Sequence, residues 1–145
     1  MTLNECFERR QLRLIPPDNL KAAKSLETAK AKLSEARELM GAGFGKMAVV
    51  VAYASMFHSC RALLYRDGVQ EKSHFCLIEY AREKYAKTGK LPFELITTMD
   101  AFREERHDAM YGFDEPETTK EHAKAALETA EKLANAVEKI LPKTR

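Results

Sequence analysis

The chain has 145 residues, 45% hydrophobic and 32% charged, so it is long enough for one folded domain and too apolar for an intrinsically disordered chain. Its 24 basic and 22 acidic residues leave a net charge of only +2, which restricts any nucleic-acid-binding surface to a local patch. The polar N-terminus lacks the apolar stretch of a secretory signal peptide.

The spacing of the three cysteines, Cys6, Cys60 and Cys76, does not match a known disulfide or metal-binding pattern. Their number is odd, and no two of them have the C-x-x-C spacing of zinc and redox sites. Cys60 lies in an apolar helical stretch and is expected to be a small core residue. This pattern favours a reducing compartment, and a cytoplasmic location is therefore expected.

Local stop signals define an N-terminal extension and a first long helix. The sequence IPPDN ends the extension, residues 1–17, because proline cannot continue a helix. Asp18 follows as an N-cap, and apolar residues at three- and four-residue steps predict a helix over residues 19–40. Gly41 is expected to end this helix, since glycine suits the left-handed conformation of a helix C-terminus.

A central helix follows and is expected to end near Gly68. Its stretch 47–65 is as long as a membrane span, but it carries His58 and Arg61 and has no uninterrupted run of about 18 apolar residues. Since this helix is apolar on nearly all sides, it is expected to lie at the centre of a bundle, with the other helices packed around it. Small residues at helical spacing form a stripe on which another helix can pack closely: Ala48, Ala52, Ser55, Ser59 and Ala62.

Three further helices are predicted over residues 73–84, 92–111 and 116–140. Pro92 and Pro116 suit their first turns, and no stretch alternates in the way of a strand. The expected fold is an all-α, up-and-down bundle of four long helices plus one shorter helix, in a single domain over residues 1–145. The last helix is expected to direct six apolar residues inward: Ala123, Leu127, Ala130, Leu133, Val137 and Ile140.

Two stretches that look like known motifs indicate little chemistry. GAGFGKM lacks the spacing of a phosphate-binding loop, with Met47 in place of the hydroxyl residue. The four histidines form no pair of metal ligands at helical spacing, so neither a metal nor a cofactor is expected.

The basic stretch REKYAKTGK is either a solvated helix end or an RNA contact. In the second case Lys84 and Lys87 would bind phosphates, and Tyr85 would stack on a base.

An arginine interrupts the apolar face of the fourth predicted helix, residues 92–111. Leu95, Met99 and Phe102 mark this face at helical spacing, and the next position on it is Arg106, with His107 beside it. A guanidinium stays charged at every physiological pH. Arg106 is therefore either a structural arginine whose head pairs with a carboxylate, or a residue that lines a functional cleft.

Three segments of the chain resemble the HEPN domain family of prokaryotes, specifically its small stand-alone members encoded beside minimal nucleotidyltransferases. They are AYASMFHSCRALLYRDGVQEKSH (52–74), KTGKLP (87–92) and REERHDAMYGF (103–113). The resemblance covers residues 17–141. It implies a helical bundle that pairs as a homodimer, and it implies RNA, a nucleotide or a minimal nucleotidyltransferase as the partner, with no membrane involved.

The resemblance also implies a site. Active members of the family are metal-independent ribonucleases whose motif is an arginine, a polar residue, three further residues and a histidine. Arg106 and His107 match the first two positions, and Tyr111 stands in place of the histidine. Since a phenol has a reference pKa of about 10, it is a poor base near pH 7. This departure puts ribonuclease activity in doubt.

The chemistry of these side chains can be stated from their types. The planar fork of Arg106 matches phosphate oxygens, and His107 has a pKa range suited to proton transfer. Helical spacing places Arg103, His107 and Tyr111 on one side of the helix, with Arg106 about 100° from His107. In a dimer, two such helices would bring both copies of Arg106 to one cleft.

Two functions follow from the resemblance. One is a ribonuclease, the toxin of a toxin–antitoxin pair with a nucleotidyltransferase. The other is a non-catalytic module that holds an RNA, a nucleotide or the nucleotidyltransferase itself, and the missing motif histidine favours it. In such a pair, Tyr111 would be the local acceptor for a modification by the partner enzyme.

Overall fold

Helices make up most of the residues described by the computed structural model, which are 1–111 and 118–143, with side chains for 1–108 and 118–143. The predicted all-α bundle is confirmed, because α2, α3, α5 and α6 are long and α4 is shorter. The elements in chain order are α1 (Leu3–Glu8), β1 (Leu12–Leu14), α2 (Asn19–Gly41), α3 (Gly45–Asp67), β2 (Val69–Glu71), α4 (His74–Ala81), a π-helical turn (Arg82–Ala86), α5 (Phe93–Tyr111) and α6 (Lys120–Ile140).

Side-chain caps define where several helices begin. The Asp18 carboxylate accepts a hydrogen bond from the Lys21 amide at 2.9 Å, as the sequence predicted. Ser73 and Thr119 cap α4 and α6 in the same way. The end of α2 differs from the prediction, because the left-handed residue after it is Gly43, with φ 89°, and Gly41 is still helical.

Helix α3 is the centre of the bundle. By length and composition it could cross a membrane, but 72% of its most apolar window is buried inside the molecule. Its small residues bring α2 close, because the Ser55 hydroxyl donates to the Ala29 carbonyl and the Ser25 hydroxyl donates to the His58 carbonyl, each at 2.7 Å. All five residues of the predicted small-residue stripe are buried, so this stripe serves packing within the chain.

The inward face of α6 also agrees with the prediction. Five of the six residues expected there are buried, and Ile140 is partly buried against the same core. The apolar line of α5 is buried as well, with Leu95, Met99 and Phe102 all in the core. Helical periodicity therefore identified the core-facing sides of the long helices correctly.

Two short strands contradict the prediction of a chain without strands. β1 pairs antiparallel with β2, so that Leu12 lies opposite Glu71 and Leu14 lies opposite Val69. Each strand has three residues, which is too short for an alternating pattern to be recognised in a sequence. The pairing attaches the N-terminal extension to the segment between α3 and α4.

A disulfide also attaches the N-terminal extension to the bundle. Cys6 of α1 is bonded to Cys76 of α4, across 70 residues of sequence. C-x-x-C spacing concerns only cysteines that are close in sequence, so no local pattern indicated this pair. Cys60 is a free, fully buried thiol, as expected, and burial raises its pKa to about 12.

The turn from α3 into β2 requires glycine. Gly68 has φ 80°, and a Cβ atom added there would lie 2.6 Å from the Ile15 carbonyl oxygen. Only a residue without a Cβ combines this left-handed conformation with such a close approach of the extension. The same position ends α3, where the sequence predicted its end.

Candidate functional site

Arg106 lies half-buried on the side of α5 that faces α3. Its guanidinium carbon lies 5.8 Å from the centroid of the Tyr53 ring, at the distance of a cation–π contact. Among the residues that the structure describes, no carboxylate lies within ion-pair distance of this guanidinium. The carboxylate partner expected of a structural arginine is therefore not found in this part of the chain.

Arg106 is one end of a column of stacked side chains that joins three helices. At the other end, the Arg61 guanidinium lies 4.6 Å from the centroid of Phe57. The Phe57 ring stacks on the His74 imidazole at 4.3 Å with an interplanar angle of 23°. The His74 ring is nearly parallel to Tyr53, at 5.8 Å between centroids. These five residues, Arg61, Phe57, His74, Tyr53 and Arg106, are called the column below.

The centre of the column is electrically neutral. Burial, and then the charges of Arg106, Arg61 and Arg103, lower the pKa of His74 to about 4. Burial also raises the pKa of the Tyr53 phenol, and its hydroxyl lies 2.8 Å from His74 Nδ1. Two uncharged groups that are hydrogen-bonded to each other therefore separate the two arginines near pH 7.

The other arginines of this region already have carboxylate partners. Arg61 donates to the buried Glu71 carboxylate, with Nε 2.7 Å from Oε1. Arg103 Nε donates to Asp100 Oδ1 at 2.8 Å. Arg106 is thus the cation of this region that has no neutralising partner among the described residues. A half-buried, unpaired guanidinium held in place by stacking is suited to bind an anion with two parallel hydrogen bonds.

The predicted motif residues occupy different surroundings. Arg103 lies close enough to Tyr53 and His74 to shift the pKa of both, and its guanidinium contacts the Phe75 ring at 5.6 Å. Arg103 and Arg106 therefore share one region. The His107 side chain is exposed. The side chain of Tyr111 lies outside the described residues.

The predicted basic loop has its aromatic ring in the interior. Tyr85 is only 2% exposed and donates a hydrogen bond to Asp67 Oδ2 at 2.7 Å, so its ring offers no open face to a base. Lys84 and Lys87 are exposed, and Lys87 pairs with Glu83. Asp67 is 14 residues beyond Tyr53 on α3, or about 21 Å along the helix, so Tyr85 lies away from the Arg106 end of the column. The start of the loop is nearer to this end, because Arg82 contacts Asp100, the partner of Arg103.

Sequence reasoning missed four of the five column residues. Tyr53, Phe57 and Arg61 follow one another at four-residue steps on α3, which is a recognisable line of two aromatic rings and a cation on one face. That spacing could have indicated three of the five column residues. His74 lies on another helix and reaches Phe57 only through tertiary packing, so its role had no signal in the sequence.

The depressed pKa of His74 predicts a pH dependence of stability. An unfolded histidine has a pKa of about 6.5, and that of His74 in the folded protein is about 4. The unfolded state therefore binds more protons between these values, and His74 makes the free energy of unfolding rise with pH from about 4 to 6.5 and level off above. Urea unfolding of wild type and His74→Gln across this range is expected to show a shallower rise in the variant.

His107→Gln is the matched control for this experiment, since it removes an exposed histidine from the same region. The comparison shows how much of the change in slope is specific to position 74. Carboxylates also titrate below pH 5, so the informative quantity is the difference between wild type and each variant. Equal slopes for wild type and His74→Gln would show that His74 is not held neutral in the folded protein.

Comparison with known protein families gives a match, which covers most of the chain. A family model described as HEPN domain matches residues 22–140. No curated protein was found to match the sequence. The family match contains every residue of the column, and it leaves out α1 and β1 of the N-terminal extension.

Proposed function

The chain belongs to the HEPN domain family, and on that premise we propose that it binds the phosphate of an RNA or a nucleotide at Arg106. The observation that carries this proposal is the half-buried guanidinium of Arg106, which stacks on Tyr53 and has no carboxylate partner among the described residues. Arg103 lies in the same region, but its charge is offset by Asp100. A phosphate would supply the charge and the hydrogen-bond acceptors that this arrangement lacks.

Binding is a better match to the site than cleavage. Metal-independent cleavage of RNA needs a base for the 2′-hydroxyl and an acid for the leaving oxygen. His74 is too weak a base near pH 7, because its pKa is about 4, and its Nδ1 is already hydrogen-bonded to Tyr53. His107 occupies the polar position of the family motif, and Tyr111 stands in place of the motif histidine. We therefore propose a binding module, with ribonuclease activity as the alternative.

Titration with uridine monophosphate and with a single-stranded RNA tests the proposal. Wild type is expected to bind both, and Arg106→Ala is expected to bind both more weakly. Arg37→Ala removes an exposed arginine of α2 that pairs with Glu131, and it is the matched control that should bind like wild type. Equal affinity of Arg106→Ala and wild type would place the ligand elsewhere.

The same proteins distinguish binding from cleavage. Labelled RNA incubated with wild type, with and without EDTA, is expected to remain intact under the proposed function. Degradation that survives EDTA and disappears in Arg106→Ala would establish the ribonuclease instead, because a metal-dependent contaminant would be inhibited by EDTA and would not depend on Arg106.

A homodimer is part of the same proposal. Family membership supports a two-fold assembly with the same patch on both copies, in which the two α5 helices would bring both copies of Arg106 to one cleft. Light scattering at micromolar concentration is expected to report a mass near twice 16.5 kDa. A strictly monomeric protein would leave each Arg106 as a separate site.

The nucleotidyltransferase partner and the toxin–antitoxin role rest on the resemblance of segments 52–74 and 103–113 to the stand-alone members of the family. Co-expression with a nucleotidyltransferase encoded beside this chain would test the partnership by co-purification. In the same experiment, intact-mass analysis of wild type and Tyr111→Phe would detect a modification of Tyr111. Failure of the two proteins to associate would argue against a paired system.

We propose a cytoplasmic location, and the Cys6–Cys76 disulfide makes it testable. Structural disulfides persist in oxidising compartments and are rare in the cytosol. Protein from cells lysed directly into denaturant that contains an alkylating reagent would show three modified thiols if the chain stays reduced, and one, Cys60, if the disulfide persists in the cell. The first result agrees with a cytoplasmic location, and the second argues against it.

A further inference from the structure

The N-terminal extension builds a groove on the open side of the small sheet. The groove has a volume of about 710 Å³ and lies between residues of α1 and β1 and residues of β2 and the turn after it. Three basic side chains line it, those of Arg10, Arg13 and Lys72. All three are exposed, and none of them forms an ion pair with a described residue.

The positive charge of this groove is not neutralised by an acidic residue of its own lining. The acidic residue in its lining is Glu71, which is only 7% exposed and already accepts two hydrogen bonds from Arg61. The chain as a whole has a net charge of +2, so three unpaired cations in one groove are a local concentration of positive charge. Such a concentration attracts polyanions and binds them in a salt-dependent way.

Arg10 lies at the end of α1. It has φ 56°, the left-handed conformation that is common in the residue after a helix. The Arg10 amide donates to the Phe7 carbonyl at 3.0 Å and the Gln11 amide donates to the Cys6 carbonyl at 2.8 Å, which is the usual hydrogen-bond pattern of a helix C-terminus. The Lys72 amide donates to the Gln11 carbonyl at 2.8 Å, so the segment that carries Arg10 is held against the segment that carries Lys72.

An aromatic ring lies among the cations. Phe7 is partly buried against the core and lines the same groove. A positively charged groove with an aromatic surface is the general form of a site for single-stranded nucleic acid, in which cations contact phosphates and a ring stacks on a base. A membrane-binding face would instead present protruding apolar side chains over a large area. In this groove Leu14 is 78% exposed, but Phe7 is partly buried and Leu12 is fully buried, so one apolar side chain protrudes.

The groove also adjoins the column. Glu71 lines the groove and holds Arg61, the residue at one end of the column. Lys72 is two residues before His74 in the chain, so their Cα atoms are at most about 7 Å apart. A linear polyanion bound at Arg106 would find the next set of cations in this groove.

We infer that the N-terminal extension adds a second phosphate-binding surface, made of Arg10, Arg13 and Lys72, for the backbone of single-stranded RNA. This inference rests on the proposed function and gives it a ligand class, a polynucleotide rather than a mononucleotide. The extension lies outside the family match, which begins at residue 22. Two of the three cations, Arg10 and Arg13, therefore lie outside the matched region, and Lys72 lies inside it.

The test compares a twelve-nucleotide oligouridylate with uridine monophosphate. The triple variant Arg10→Gln, Arg13→Gln, Lys72→Gln is expected to bind the oligonucleotide about tenfold or more weakly at about 0.1 M salt. The slope of log affinity against log salt concentration is expected to fall by about 2, since each phosphate contact of a single strand contributes roughly 0.7. Affinity for uridine monophosphate is expected to stay at the wild-type value.

The matched control removes the same charge from another face. Lys124, Lys132 and Lys139 are exposed on α6, and their triple replacement by Gln should leave oligonucleotide affinity and salt slope nearly unchanged. Circular dichroism and thermal unfolding of both triple variants verify that each is folded. Equal losses in the groove variant and the α6 variant would show a general charge effect and overturn the inference.

The outcomes separate this inference from the proposed function. If wild type binds uridine monophosphate through Arg106 but binds the oligonucleotide no more tightly, the inference fails and the proposed function stands. If the oligonucleotide depends on the groove but not on Arg106, the groove stands and the proposed function fails. Tighter binding to polyglutamate or to phosphatidylserine vesicles, lost in the groove variant, would overturn RNA as the ligand.

Discussion

Replacing Arg106 with alanine is expected to weaken the binding of uridine monophosphate or RNA by about 30-fold and to leave the fold nearly as stable. Hydrogen bonds to a charged group contribute about 1.5–3 kcal/mol, which is lost with the guanidinium. The stability change is expected to stay within about 1 kcal/mol, because the variant loses only the contact with Tyr53 and leaves no described carboxylate without its partner. Isothermal titration and urea unfolding measure the two quantities.

Arg106→Lys is the sharper variant, because lysine keeps the charge and loses the planar fork. Its affinity is expected to lie between those of wild type and Arg106→Ala. A structural arginine would behave differently, since breaking a buried ion pair costs about 3–5 kcal/mol. A loss of that size in Arg106→Ala, together with unchanged ligand affinity in Arg106→Lys, would contradict the functional interpretation.

Phe57→Ala is expected to lower the free energy of unfolding by about 3–5 kcal/mol. Phe57 is 7% exposed and lies inside the column, between the Arg61 guanidinium and the His74 ring. The substitution leaves a cavity on the central helix and removes both stacking contacts. For a chain of this size each kcal/mol corresponds to about 2–4 °C in Tm, so thermal unfolding should show a decrease of roughly 6–20 °C.

Phe44→Ala is the matched control, because it removes the same ring from a position that is 61% exposed. A change within about 1 kcal/mol is expected there, as for most surface substitutions. Phe57→Leu adds a second comparison, since it keeps most of the apolar volume and loses the aromatic stacking. A loss below about 1 kcal/mol in Phe57→Ala would mean that the column contributes little to the stability of the bundle.

The site could be predicted only in part. The motif resemblance pointed to Arg106, and the structure places that residue beside a buried aromatic and near Arg103. Neither His74 nor the neutral state of its ring could be foreseen, because its pKa depends on burial and on arginines from two other helices. One of the two interpretations of the basic stretch made Tyr85 a stacking surface, but its ring is buried and its hydroxyl donates to Asp67, 18 residues away.

The sequence by itself determined the features that depend on neighbours within about four residues. The Asp18 cap, the buried faces of α5 and α6 and the end of α3 at Gly68 are of this kind, since helical periodicity and capping act over one turn. Only the tertiary structure decided which distant residues meet. Cys6 reaches Cys76, β1 reaches β2, and Tyr53 meets both His74 and Arg106. These contacts depend on how the helices pack against one another, which no local pattern encodes.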